Sequence, residues 1–150
     1  MDFQKLFREV RNNGFPEIES KFISTEKFHF AHASAITGNI HYNPKNILAL
    51  GFTQNAVKGV IAHELAHQVD FKRMGFFSRI WLTYKCSRNE VYRKGVERRA
   101  DTITVKRGFG KDLIEAMRLT KKRFPKDRWR RYEAAHLSIK EMEALSDQIL

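Results

Sequence analysis

The sequence predicts an α+β domain in which helices dominate, and three observations carry that prediction. Apolar residues recur at helical spacing in several proline-free segments. Two shorter stretches rich in aromatic and β-branched residues are bounded by turn formers, as strands are. At 150 residues and 42% apolar side chains, with no repeats, low-complexity tracts or linkers, the chain can bury one self-sufficient core, so one domain over residues 1–150 is expected.

The elements follow in order. Residues 3–12 read as an amphipathic helix closed by Asn13-Gly14. Residues 18–30 alternate apolar and polar in places, with Phe22, Phe28 and Phe30, and supply one or two strands. Residues 36–42 form a second strand region, ended by Asn43-Pro44, and residues 47–52 lead on from it. A helix is predicted over 54–69, with Thr53 as its N-cap and no proline inside. Val57, Val60, Ile61, Leu65 and Val69 give it an apolar stripe that should face the core. Gly59 is its one poor helix former, at a cost of about 1 kcal/mol against alanine. Residues 71–88 are a basic, aromatic connection with a short helix around 78–84. Helices are then predicted over 89–105, over 111–124 until Pro125 breaks it, and over 128–135 and 138–149.

The helix over 54–69 carries His63-Glu64-Leu65-Ala66-His67. Residues four apart share one face of a helix, so His63 and His67 can direct their imidazoles at one metal ion. Glu64 reaches the same side. Two imidazole nitrogens with an adjacent carboxylate base form the working set of a zinc hydrolase, with Glu64 as general base. A catalytic zinc needs a third protein ligand and one open position. No histidine occurs between Gln68 and Ala135, and Asp70 and Arg73 stand where the metzincin pattern wants glycine and histidine or aspartate. The better candidate is Glu97, in Glu97-Arg98-Arg99-Ala100-Asp101. On a helix Glu97 and Asp101 share a face, so Glu97 can bind the metal while Asp101 accepts the N–H of a ligating imidazole, foremost that of His63. Ala100 is small enough to let the two helices approach closely.

These two motifs together resemble the gluzincin signature H-E-x-x-H…E-x-x-A-D. The nearer resemblance is to the soluble catalytic core of HtpX-like and CAAX-prenyl-protease-like peptidases, and in size to the compact minigluzincins. Two weaker stretches support it. Ile36-Thr37-Gly38-Asn39-Ile40-His41-Tyr42-Asn43 resembles the strand that precedes the zinc helix in that family. His136-Leu137-Ser138-Ile139-Lys140-Glu141-Met142 resembles a segment that usually reads His-Pro-Ser followed by an arginine; here leucine replaces the proline and methionine stands near the arginine position. The resemblance covers roughly residues 36–145. It implies a zincin-like domain: a small, mostly antiparallel sheet packed on the zinc helix and a glutamate helix, with a helical C-terminal part. It further implies one catalytic Zn2+, a peptide or protein substrate, and a latent form in which the chain's own or a neighbouring segment plugs the cleft, or the protein self-associates.

The resemblance also favours a substrate-pairing role for the stretch around Gly38, Asn39 and Ile40, where an extended peptide could add along a sheet edge; the bland alternative is a hairpin turn at Thr37-Gly38-Asn39. An oxyanion donor should come from His136, Tyr132 or Tyr92, and the sequence does not choose among them. His29, His32 and His41 are not read as ligands.

One cysteine, Cys86, excludes an internal disulfide framework. Met1-Asp2-Phe3-Gln4-Lys5 lacks the apolar core of a signal peptide, and the longest apolar stretch, residues 75–84, is broken by Arg79. A cytoplasmic protein with no membrane partner is therefore expected. The formal charge of +11 is uneven: residues 1–50 hold +1 and residues 51–150 hold +10. The densest stretch, residues 118–131, sets Arg118, Lys121, Lys122, Arg123, Lys126, Arg128, Arg130 and Arg131 against Asp127, with Trp129 and Tyr132 nearby. A basic nucleic-acid-binding module with a structural or lost metal site is the alternative function. No recognition motif accompanies the charge, so a solvated face is the favoured reading.

Overall fold

The computed structural model describes residues 1–27 and 30–148. Phe28, expected in a strand, His29, not expected to be a ligand, and Ile149, expected at a helix end, lie outside the described residues. The chain begins with helix α1 (Phe3–Gly14), whose N-cap Asp2 accepts a hydrogen bond from Lys5 N–H at 2.9 Å. Three short strands follow: β1 (Phe22–Ser24), β2 (Ala31–Ala33) and β3 (Ile40–Tyr42). The rest is helical: α2 (Pro44–Ala49), α3 (Gln54–Lys72), α4 (Phe76–Arg88), α5 (Glu90–Thr104), a kinked turn at Val105–Phe109, α6 (Gly110–Arg123), α7 (Lys126–Ala135) and α8 (Ile139–Asp147). This is the expected α+β class.

The sheet corrects the expectation of mostly antiparallel pairing. Its order is β1-β3-β2, with β1 parallel and β2 antiparallel to β3, so it is mixed. The predicted strand over 36–42 shrinks to Ile40–Tyr42 and becomes the inner strand. Ser34 N donates to Asn39 O and Gly38 N to Ser34 O, which makes residues 34–39 a hairpin loop. Gly38 sits there at φ +71°, a left-handed conformation that glycine adopts without strain. Strand β2 had no sequence signal: three residues, two of them alanine, show no useful period.

Helix α1 packs on the sheet through stacked rings, Phe7 on Phe22 at 4.7 Å and Phe22 on Tyr42 at 4.0 Å. Helix α3 runs through the centre, with α1, β2, α5 and α6 all packed on it. Its predicted stripe is buried at Val57, Ile61, Leu65 and Val69, but so are Ala62, Ala66 and both histidines, because neighbours cover almost every side. Thr53 caps it by accepting from Ala56 N–H at 3.1 Å. A second apolar cluster joins α6, α7 and α8 through Leu113, Met117, Trp129, Leu137 and Met142.

Gly59 has a reason that helix propensity alone hides. A Cβ there would collide with the main chain of Asp112 and Leu113 and stand 2.6 Å from the Asp112 carbonyl oxygen. Alanine would gain about 1 kcal/mol in propensity. Overpacking against backbone, which cannot rotate away, costs typically about 1–3 kcal/mol and sometimes more. With backbone atoms at 2.4 Å the upper end of that cost applies, so Gly59→Ala is expected to lower stability by about 2 kcal/mol in urea denaturation. An unchanged or raised midpoint would mean that α3 and α6 do not approach this closely.

Candidate metal centre

Helix α3 places His63 and His67 one turn apart, their rings edge to face at 4.7 Å between centroids. Helix α5 brings Glu97 across from them. Ala100, only 1% exposed, fills the space between these helices. Three donor atoms converge: His63 Nε2 lies 3.1 Å from Glu97 Oε2 and 3.1 Å from His67 Nε2, and His67 Nε2 lies 3.3 Å from Glu97 Oε2. Both histidines are buried and Glu97 is half-buried, and the three groups can hold a metal ion. Ligands about 2.0–2.1 Å from a tetrahedral ion stand about 3.3 Å from one another, so the triangle has the required size.

The electrostatics favour positive charge at this point. Burial penalises a charged His63, yet the carboxylates of Asp101 and Glu97 outweigh it and hold its pKa well above the ordinary histidine value. Burial likewise opposes ionisation of Glu97, but the imidazoles of His67 and His63 hold its carboxyl far below the usual carboxylate range. Asp101 behaves the same way: burial raises its pKa, and His136 and His63 bring it down further than burial lifts it.

Asp101 is 0% exposed and joins three partners. Its Oδ1 lies 2.9 Å from His63 Nδ1, the expected pairing, although Nδ1 makes no well-directed hydrogen bond there and is otherwise an unpartnered buried nitrogen. Leu137 N–H donates to its Oδ2 at 2.8 Å. His136 Nδ1 lies 3.2 Å from the same oxygen. His63, Asp101 and His136 form a second donor set of metal-binding size. Since Asp101 is sealed from solvent and tied to a main-chain N–H, it is better placed to orient imidazoles than to face an ion.

Glu64 is buried beside the triangle. Its Oε2 accepts from Ala33 N–H at 2.6 Å, which fixes the carboxylate against β2. His136 Nε2 lies 3.9 Å from Glu97 Oε2, and the Tyr132 ring stacks on the His136 ring at 4.2 Å. Burial pushes the Tyr132 phenol well above its ordinary pKa, helped by the negative charges of Asp101, Glu97 and Glu64, so it stays a neutral O–H donor. Tyr132 and His136 both line a cleft of about 590 Å³ over the triangle, together with Glu64, Glu97 and the β2 main chain.

Several predicted site residues lie elsewhere. Tyr92 is 38% exposed and sits against Lys85 Nζ at 5.1 Å from its ring, outside the cleft, so it is not a donor there. Gly38, Asn39 and Ile40 do not line the cleft either. Ile40 belongs to β3, whose two edges are already paired, so no substrate strand can add to it; Thr37-Gly38-Asn39 is the hairpin turn weighed against that role. His32 lies on β2 and His41 on β3, and neither is a member of the donor triangle.

Two contributors had no place in the sequence reading. One is β2, which supplies the Ala33 N–H. The other is Arg98, which donates to His136 O at 3.1 Å and to Glu141 at 2.6 Å, anchoring the segment that presents His136. Position in the motif could have pointed to Arg98, since it lies between Glu97 and Asp101 on α5.

The basic stretch 118–131 shows no exposed base-stacking surface. Trp129 is buried with Lys121 over its ring at 5.7 Å, Arg128 covers Phe124 at 4.4 Å, and Tyr132 turns toward the metal centre. Comparison of the chain with protein-family models, with curated proteins and with solved structures finds no match in any of the three.

Proposed function

We propose that the protein is a zinc-dependent metalloendopeptidase of gluzincin type, built on a zincin-like domain. The observation that carries this reading is the triangle of His63 Nε2, His67 Nε2 and Glu97 Oε2, with sides of 3.1–3.3 Å, beside a buried carboxylate that is not one of its corners. Imidazole and carboxylate donors at tetrahedral spacing suit zinc, and three protein ligands leave the open position that catalysis needs. His63, His67 and Glu97 would hold the zinc ion, which when bound would supply Lewis acidity toward a water and a carbonyl oxygen.

The chain's own residues supply the rest. Glu64, held by Ala33 N–H, takes the proton of the attacking water on its carboxylate and passes it to the leaving amine. Asp101 fixes the orientation and basicity of His63. Tyr132, kept protonated, is available as a donor to a developing oxyanion, and His136, whose Nδ1 faces Asp101, becomes a second donor through Nε2 when its ring carries both protons.

Substrate docking belongs to β2. The β2–β3 pairing sets His32 opposite His41 and is flanked by Asn43 N–H donating to Phe30 O and Ser34 N–H donating to Asn39 O. By alternation the main-chain groups of Ala31 and Ala33 face away from β3, and Ala33 N–H meets Glu64. An extended peptide added along β2 would therefore run directly past the base. A structural metal site would not need Glu64 in this position, which separates this reading from a basic binding module.

Elemental analysis of the purified protein is expected to find about one zinc per chain. Glu97→Ala should lose it, and a peptide library should be cleaved only by the loaded protein. Full zinc retention by Glu97→Ala would remove Glu97 from the ligand set. A loaded wild type that cleaves no member of the library would remove the peptidase reading.

A further inference from the structure

Helix α4 is turned inside out. A helix on a globular domain normally sets its apolar stripe against the core. In α4 the one buried side chain is Leu82, while Phe76, Phe77, Ile80, Trp81 and Tyr84 stand exposed, Phe77 at 83%. Single exposed apolar residues are ordinary, but a contiguous group marks an interaction surface. These are contiguous: Phe76 meets Phe77 edge to face, Trp81 stacks on Tyr84 at 5.6 Å, and Lys85 Nζ lies between the Trp81 and Tyr92 rings at 5.4 and 5.1 Å.

Cations border this surface: Lys85 Nζ lies over the Trp81 ring and the Arg88 guanidinium 5.8 Å from the Tyr84 ring, and no acidic residue occurs between residues 76 and 89. Two copies meeting through this face would oppose like charges, so a second copy does not fit. A nucleic acid fits the charge but not the shape. Base stacking needs rings splayed along a groove, whereas Trp81 and Tyr84 already stack on one another on a convex helix and Phe77 and Ile80 protrude beside them.

The order of residues along α4 matches a different partner. On the outer face, wholly apolar Phe76, Phe77 and Ile80 come first, while Arg79 between them turns back to donate to Met74 O at 3.1 Å. Trp81 and Tyr84, apolar rings with polar tips, come next and are joined by Tyr92. Lys85 and Arg88 come last, with Arg88 about 18 Å along the axis from Phe76. Hydrocarbon, interface and anionic headgroup follow one another in that sequence at a bilayer surface. We propose that the outer face of α4, tilted with its Phe76 end toward the hydrocarbon, docks the protein on an anionic phospholipid bilayer. The contact is peripheral, as no helix among the described residues is long and apolar enough to cross a membrane. The opposite side of α4, with Leu82, Thr83 and Cys86, lines the cleft, so docking would set the cleft beside the bilayer. The proposal stands whether or not the protein is a peptidase.

Sedimentation with vesicles tests it. The wild type should pellet with equimolar phosphatidylglycerol and phosphatidylcholine, should stay in solution with phosphatidylcholine alone, and should be released as salt rises. Emission from exposed Trp81 should shift to the blue on binding, and Trp81→Phe should lose the shift while still pelleting, since Trp129 is already buried. Phe77→Glu should cut partitioning about ten-fold or more, and Lys85→Glu with Arg88→Glu should do the same, with far-UV circular dichroism unchanged. Failure to pellet with anionic vesicles at low salt would overturn the proposal. So would equal pelleting by Phe77→Glu, tighter binding of a single-stranded oligonucleotide than of the vesicles through these residues, or dimerisation through this face seen by analytical ultracentrifugation without lipid.

Discussion

Glu64→Gln is expected to keep its zinc and to lose peptide hydrolysis by about 10²-fold or more, the usual size of a general-base contribution. Glutamine preserves shape and can still accept from Ala33 N–H, the contact that holds Glu64 against β2. It cannot take a proton at neutral pH. Fold and metal content should therefore match the wild type, and the loss should appear in kcat more than in KM, because the proton moves only in the chemical step. The measurement is paired: zinc by elemental analysis and turnover on one peptide found by the library. Wild-type turnover in a loaded Glu64→Gln protein would show that the base is another group. Loss of zinc together with activity would show that Glu64 is needed to build the site.

Asp101→Asn should act on binding and stability together. The aspartate is fully buried, accepts from Leu137 N–H at 2.8 Å, and faces Nδ1 of both His63 and His136. Asparagine can keep one acceptor but puts an NH2 group where the second oxygen stood, and it removes the charge that holds His63 above its ordinary pKa. Losing such a carboxylate behind a metal-ligating imidazole typically costs about 10–100-fold in metal affinity or activity. A buried hydrogen-bonding group left without a partner costs about 1–3 kcal/mol, so the metal-free protein should also unfold at lower denaturant. Chelator competition reads the first effect and urea denaturation the second. Reduced stability with unchanged metal affinity would make Asp101 a tie between α5 and the Leu137 segment, with no hold on the metal centre.

The sequence by itself determined what depends on local geometry. Thr53 and a proline-free run make α3, and a spacing of four then puts His63 and His67 on one face whatever surrounds them. The same spacing sets Glu97 and Asp101 on one face of α5. Local pattern could not say that those two faces would meet. That follows from the packing of α3 on α5, and on α6 through the gap left by Gly59, which reads locally only as a poor helix former. Nor could it find β2, whose three residues carry no period, or decide that β3 would be the inner strand: pairing joins residues far apart in the chain and leaves no mark at one position. Trp129 and Tyr92 show the same limit in side-chain placement, the first buried under a basic helix and the second drawn out to Lys85. Residues 71–88 read only as a basic, aromatic connection with a short helix around 78–84, and the tertiary structure decides that Leu82 turns inward while the aromatic face meets solvent, because burial is set by what packs against a helix as well as by the residues on it.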